Sequence, residues 1–209
     1  MIYQLILDIQ NYWRAGTGRG GGSAYDESVY RNSYGLPVLP GRTLKGLLRD
    51  ACWRAEKWGH IDTGTTSQLF GMRFNNEGEP VDQNDKGERP YAGLIRVSSA
   101  ELEKETRDYL QWLKQDTKKD FEGLTANFFR TLSSTAIKDG SAKDQSLRTS
   151  EVTIPLKLVA DITIRNGEEK SAKDYAEQLE KCLPLVRAVG NNRTRGLGRV
   201  QITMTKKEG

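Results

Sequence analysis

Arg42, Lys45 and Arg49 are spaced by three and four residues, so on a helix all three project from one side. Three cations in a row suit a phosphate backbone. Gly46 stands among them, although glycine inside a helix costs about 1 kcal/mol relative to alanine. Its use there predicts that another backbone, polypeptide or RNA, comes close at that point. A second cluster is GNNRTRGLGRVQI at 190–202. Gly190, Gly196 and Gly198 permit positive φ and expose backbone N–H groups, while Arg193, Arg195 and Arg199 supply charge and stacking planes for unpaired bases. A P-loop or Rossmann turn needs strand, glycines, then helix; here the order is helix, glycines, then strand, which excludes both. Read from spacing alone, a solvated helix face and a plain connecting loop remain the alternatives.

The elements that must position these groups are legible in the apolar periodicity. Residues 2–10 alternate with Tyr3, Leu5, Leu7 and Ile9 on one face, a first strand. GTGRGGGSAYDES (16–28) has no periodicity and reads as a loop able to close on a ligand. Thr43 is the expected N-cap of a helix over about 43–57 whose stripe is Leu44, Leu47, Leu48, Ala51, Cys52 and Ala55. Residues 59–92 read as an irregular insertion, and Tyr91 to Ser98 as a second strand. One or two helices follow over 101–132, and 133–150 reads as a projecting loop or hairpin. Val152 to Arg165 alternates as a third strand with Pro155 marking an edge or bulge. A second helix runs from about Ser171 through Val189, which Pro184 interrupts, and a fourth strand runs from Arg199 to Thr205. The order is βαβ, insertion, βαβ. It predicts an α+β, ferredoxin-like (RRM-like) βαββαβ core with insertions, its sheet antiparallel and its two helices on one face. The chain 1–209 is then a single domain, with 59–92 as one insertion and 101–150 as a helical and thumb-like second.

Composition narrows the partners. The 209 residues are 36% hydrophobic and 29% charged, and 32 Lys plus Arg exceed 28 Asp plus Glu, a net charge of +4. That mild excess, with a pI near 9.0, suits a polyanion without demanding one. Cys52 and Cys182 lack any zinc-ligand spacing and read as core thiols. The N-terminal MIYQLILDIQNYW lacks the basic region and cleavage site of a signal peptide, and no apolar run approaches the ~20 residues of a membrane span. A cytoplasmic protein with no membrane partner is expected.

LPVLPGRTLKGLLRDA at 36–51 resembles the segment with which RAMP superfamily proteins enter their first helix, and GNNRTRGLGRVQI resembles their C-terminal glycine-rich loop. SQLFGMRF (67–74), PYAGLIRVSSAEL (90–102) and SLRTSEVTIPL (146–156) fall between them in the family's order. The resemblance covers nearly the whole chain and is greatest to the backbone subunit of type III CRISPR effector complexes. It implies a ferredoxin-like palm, 133–150 as a thumb inserted between guide and target, and binding of CRISPR RNA and single-stranded target RNA. It also implies other effector subunits, and copies of this chain itself, as partners. Arg19, Arg42, Lys45, Arg49, Gly190, Arg193, Arg195, Gly196, Gly198 and Arg199 are the RNA-binding candidates. A metal-dependent catalytic Asp in the first loop is implied too, and Asp26 fits: it follows the glycine-rich stretch ten residues before LPVLPG. After it the chain reads DESVYRNSYG, departing from the family's usual apolar or proline-containing segment. There one carboxylate would hold Mg²⁺ or Mn²⁺ and bring phosphate and 2′-OH into line. The lone His60 in KWGHID reads as structural or solvent-facing and disfavours a histidine-based RNA-processing enzyme. Three readings stay open: a target-cleaving subunit, a non-catalytic RNA-binding subunit, and a guide-processing ribonuclease.

Overall fold

A computed structural model describes residues 1–18, 27–74, 80–81, 89–138, 140–142, 146–165 and 169–207. In chain order the elements are β1 (Ile2–Ile9), α1 (Gly41–Lys57), α2 (Thr65–Phe70), β2 (Gly71–Phe74), β3 (Pro80–Val81), β4 (Arg89–Ala92) and β5 (Ile95–Val97). Then come α3 (Lys104–Asp116), α4 (Lys118–Ala126), β6 (Phe129–Ser134), β7 (Ile137–Lys138), β8 (Ser141–Ala142), β9 (Arg148–Thr153), β10 (Leu156–Ile164), α5 (Glu169–Cys182) and β11 (Val200–Lys206). The main sheet has the order β11-β1-β10-β5, and every pair in it is antiparallel. With α1 and α5 as its two crossovers this is the ferredoxin-like βαββαβ arrangement expected.

Strand β1 buries Tyr3, Leu5, Leu7 and Ile9 and leaves its alternate residues half-covered. A strand paired on both sides and packed on one face must read this way. The predicted stripe of α1, from Leu44 to Ala55, is buried in the same core. The helix begins two residues before the predicted cap: Pro40 is the N-cap, and Thr43 lies within the first turn, its N–H donating to the Pro40 carbonyl at 2.9 Å. Gly41 sets that start, because a Cβ there would stand 2.6 Å from the Val97 carbonyl oxygen.

Further boundaries differ from expectation, three of them for a local reason. The second predicted strand is divided at Gly93, whose missing side chain lets the chain pass against the Leu69–Gly71 backbone; β4 pairs with β2 and β5 with β10. The third is divided at Ile154 and Pro155, where the chain leaves a two-stranded ribbon (β6 with β9) and enters the main sheet. Helix α5 stops at Cys182 rather than continuing to Val189, because Pro184 cannot donate to a helical carbonyl and instead sits in a short 3₁₀ turn, Leu183–Leu185. Val186 and Val189 are still buried, but on chain that lies beside the start of β11.

Residues 59–92 are not irregular as expected: they contain α2 and a three-stranded sheet of order β3-β2-β4, because the apolar piece Leu69 to Phe74 turns from helix to strand at Gly71 and pairs with the chain at 80–81 and 89–92. The Glu56 carboxylate accepts the Gly64 and Thr66 N–H groups at 2.8 and 2.9 Å, so a side chain of α1 fixes the start of α2. Burial raises the Glu56 pKa, but the hydrogen bonds from Thr66 and Gly64 outweigh it and hold the group below its ordinary value. The hairpin expected over 133–150 starts earlier, because α4 ends at Ala126 and residues 129–132, expected to be helical, belong to β6, which pairs with β9; β7 pairs with β8 between them in the chain. Cys52 and Cys182 are both fully buried, and the Cys182 thiol donates to the Gln178 carbonyl at 3.2 Å.

Candidate nucleic-acid interface

The glycine-rich segment 190–199 is held by the chain that follows β1. Gly190 has φ +80°, and a Cβ there would overlap the Arg14 backbone; the next N–H, of Asn191, donates to the Arg14 carbonyl at 2.6 Å. Gly198 has φ +75°, and its Cβ would overlap the Val189 carbonyl oxygen, which lies at the other end of the same loop. The Gly198 N–H donates to the Tyr12 carbonyl, and the Val189 N–H to the Gly198 carbonyl, both at 2.8 Å. Asn11 completes the clamp: its amide donates to the Gly196 carbonyl at 2.6 Å and its oxygen accepts the Arg199 N–H at 2.8 Å. Gly196, at φ +83°, has open space around it. Thus two of the three glycines make their close approach to this chain's own backbone.

What the clamp presents is charge. Arg193, Arg195 and Arg199 are exposed, and among the described residues no carboxylate pairs with any of them. Guanidinium groups on a fixed loop can take phosphates or unpaired bases without first breaking an ion pair.

The α1 face behaves less uniformly. Arg42 is exposed and Arg49 half-exposed, but Lys45 turns toward the sheet and its ammonium donates to the Ile95 carbonyl at 3.1 Å. Burial, then the nearby Arg49 charge, lowers the Lys45 pKa. Gly46 is exposed with nothing near its Cβ position, so no described part of the chain makes the approach its presence predicts. The outer face continues from Arg49 to Trp53, which is 53% exposed.

Between loop and hairpin runs a polar network that sequence reading missed. Arg14 is 2% exposed and ion-pairs with Glu27, whose carboxylate also accepts the Ser150 hydroxyl at 3.1 Å. Burial lowers the Arg14 pKa. Next to it Glu151 takes Arg31 at 2.5 Å and the Val29 N–H at 3.2 Å, and the Arg31 guanidinium lies 3.9 Å from the Phe129 ring centre. Trp13 pairs with Thr153 at the end of β9. Segment 10–16 therefore touches the arginine loop on one side and the base of the hairpin on the other.

Arg19 and Asp26 lie outside the described residues. Glu27 and Glu151, the described acids of that network, already hold Arg14 and Arg31. Among the described residues no group of three or more His, Cys, Asp or Glu is placed to hold a metal. His60 is exposed, its ring edge-on to Trp58 at 6.2 Å. No helix among the described residues is long and apolar enough to cross a membrane.

Fold and site together define a ferredoxin-like domain with an arginine-bearing, glycine-rich loop before its last strand and a projecting hairpin beside it. The chain belongs to the RAMP superfamily, whose sequence profile matches residues 9–201. No curated protein matches it. Among solved structures it is similar to a chain of the type III-B Cmr-beta assembly in its apo state, with a TM-score of 0.64, 11% identity, and 99% of this chain and 98% of that one covered. The same assembly bound to cognate target RNA gives a TM-score of 0.64 at 11% identity, over 98% of this chain and 97% of that one. A chain of a type IV-B CRISPR complex gives 0.57 at 13%, over 100% and 93%. At these identities the likeness is one of fold.

Proposed function

We propose that this chain is a guide-RNA-binding subunit of a type III-like CRISPR effector complex, and that it cuts target RNA paired with the guide in a metal-dependent way. The observation that carries the reading is the clamped loop: three arginines without acidic partners among the described residues, on a backbone fixed by Asn11, Gly190 and Gly198, beside the base of a hairpin. In this reading Arg193, Arg195 and Arg199 hold the guide, and Arg42 and Arg49 take further phosphates. Lys45 contributes through the donor hydrogens that Ile95 leaves free. The hairpin separates guide from target, and Arg14 with Glu27 anchors the end of the loop that carries Asp26. A bound Mg²⁺ or Mn²⁺ at Asp26 would neutralise charge on the scissile phosphate. Other effector subunits and further copies of this chain complete the assembly.

The test is to isolate the assembled complex, sequence its co-purifying RNA, and supply a matched target with Mg²⁺ or Mn²⁺. Guide-like RNA and cutting at the paired target are expected. Asp26→Ala should lose cutting by orders of magnitude while guide and target affinities stay within a few-fold. A complex that retains guide RNA and never cuts is a non-catalytic binding subunit; absence of guide RNA ends the reading altogether.

A further inference from the structure

Strand β11 is an edge of the main sheet along its whole length. The Gln10 N–H donates to the Arg199 carbonyl and the Lys207 N–H to the Ile2 carbonyl, so odd-numbered residues here turn their backbone polar groups toward β1. Even-numbered residues must then aim theirs outward. Val200 does so, donating to the Arg187 carbonyl at 3.0 Å. Beyond it, the outward N–H and C=O groups of Ile202 and Met204 have no strand beside them among the described residues. These two residues stand about 6.8 Å apart, twice the rise of an antiparallel strand.

The open edge borders a groove. A cavity of about 830 Å³ lies along Arg199 to Met204 and is floored by Leu183, Val186 and Ile202. A second, of about 290 Å³, continues past Met204 to Lys206 along Ala176 of α5. Glu180 and Met204 line both, which joins them into one trough between α5 and β11. Arg187 and Arg199 border one end, Lys173 and Lys206 the other, and Glu177 and Glu180 lie between.

We infer that the outer edge of β11 docks an extended segment of another polypeptide, one with apolar side chains at alternate positions and acidic residues at both ends. A strand offers paired N–H and C=O groups at the spacing this edge requires, and its alternate side chains enter the apolar floor. Four cations against two mid-groove carboxylates favour acidic ends. A second copy of β11 is a poor occupant, because antiparallel self-pairing would bring Lys206 and Lys207 toward Arg187 and Arg199. RNA is attracted by the four cations, but its phosphates would meet Glu177 and Glu180 and it has no ladder of donors for the Ile202 and Met204 carbonyls. The inference stands apart from the proposed RNA-guided function.

The test uses the full chain and a fluorescein-labelled seven-residue peptide with valine at alternate positions, threonine between and an acidic residue at each end. Anisotropy should show saturable binding, weakened at least tenfold by Met204→Pro, which removes one outward N–H and spares the β1 ladder, and changed less than threefold by Met204→Ala. A lysine-ended peptide should bind at least fivefold more weakly. In the unmodified chain, hydrogen exchange at the Met204 amide should slow at least tenfold when the peptide is added, and this measurement decides if the proline variant fails to fold. No saturable binding, equal binding by a folded Met204→Pro chain, or no protection at Met204 would overturn the inference. Protection of Met204 by poly(U) alone would make the groove a nucleic-acid site, and protection that rises with protein concentration alone would make it a self-interface; either overturns it.

Discussion

Replacing Gly198 with alanine should cost several times more stability than the same change at Gly196, although the two glycines share one loop and nearly one φ, +75° and +83°. At Gly196 a methyl group meets nothing among the described residues, so the cost is that of left-handed backbone alone, roughly 1–2 kcal/mol. At Gly198 the same cost applies, and the new Cβ overlaps the Val189 carbonyl oxygen. Relieving that overlap shifts backbone at roughly 1–3 kcal/mol and loosens the Val189-to-Gly198 hydrogen bond, worth about 1 kcal/mol. The expected totals are about 3–6 kcal/mol for Gly198→Ala and about 1–2 kcal/mol for Gly196→Ala. In a domain of this size that corresponds to a Tm loss on the order of 10 °C against a few degrees. Urea unfolding followed by tryptophan fluorescence, with unchanged m, measures both. Equal losses at the two sites would refute the reasoning, since backbone conformation would then account for everything. A tenfold fall in RNA affinity in Gly196→Ala, with stability nearly kept, would show that RNA rather than protein comes close at that glycine.

Other perturbations separate structure from binding. Arg42→Ala with Arg49→Ala should flatten the slope of log K against log salt for single-stranded RNA by about 1.4, at roughly 0.7 per phosphate; Lys45→Ala should flatten it by less, because its ammonium is shared with the Ile95 carbonyl. Glu56→Gln should destabilise by about 1 kcal/mol at neutral pH, as expected for charge-assisted bonds at a partly exposed site. Because the folded-state pKa of Glu56 lies below the ordinary 4.5, that contribution is full above the unfolded value. It fades as pH falls through the folded one, so wild-type and variant unfolding curves should converge in acid. Asn11→Ala should free the Gly196–Arg199 end of the arginine loop, speeding amide exchange at Arg199 and weakening RNA binding with little change in the β1 ladder.

The parts of this molecule legible in the sequence are those whose burial follows from local period. Tyr3 to Ile9, Leu44 to Ala55 and Leu158 to Ile164 each show one apolar face because a neighbouring layer covers that face alone. The misplaced boundaries share a cause: apolar residues continued past a point where the partner changed. Val152 and Leu158 are both buried, but one lies in the hairpin ribbon and the other in the main sheet. Val186 and Val189 keep helical spacing after Cys182, yet extended chain buries them. At the site, the charges could be read and their partners could not. Lys45 is bound by a residue 50 positions on, Arg14 by one 13 positions on, and Gly190 is required by backbone at Arg14. No composition or spacing signal reports such long-range partners.

Arg14 is where three elements meet, and this suggests why a guanidinium is buried there at all. Its backbone carbonyl accepts the Asn191 N–H and lies against Gly190, so the arginine loop cannot move independently of it. Its side chain holds Glu27, and Glu27 in turn holds Ser150 through its carboxylate and the Glu151 N–H through its carbonyl. A hydrophobic residue would fill the same space at lower desolvation cost. It could not, however, direct the carboxylate that ties the first loop to the hairpin. Arg14→Met should therefore leave the sheet folded and the Tm within a few degrees of wild type, while amides from 27 to 31 and 148 to 151 lose exchange protection together. If only one of those two segments loosened, the loop and the hairpin would be separately anchored, and Arg14 would be a packing residue alone.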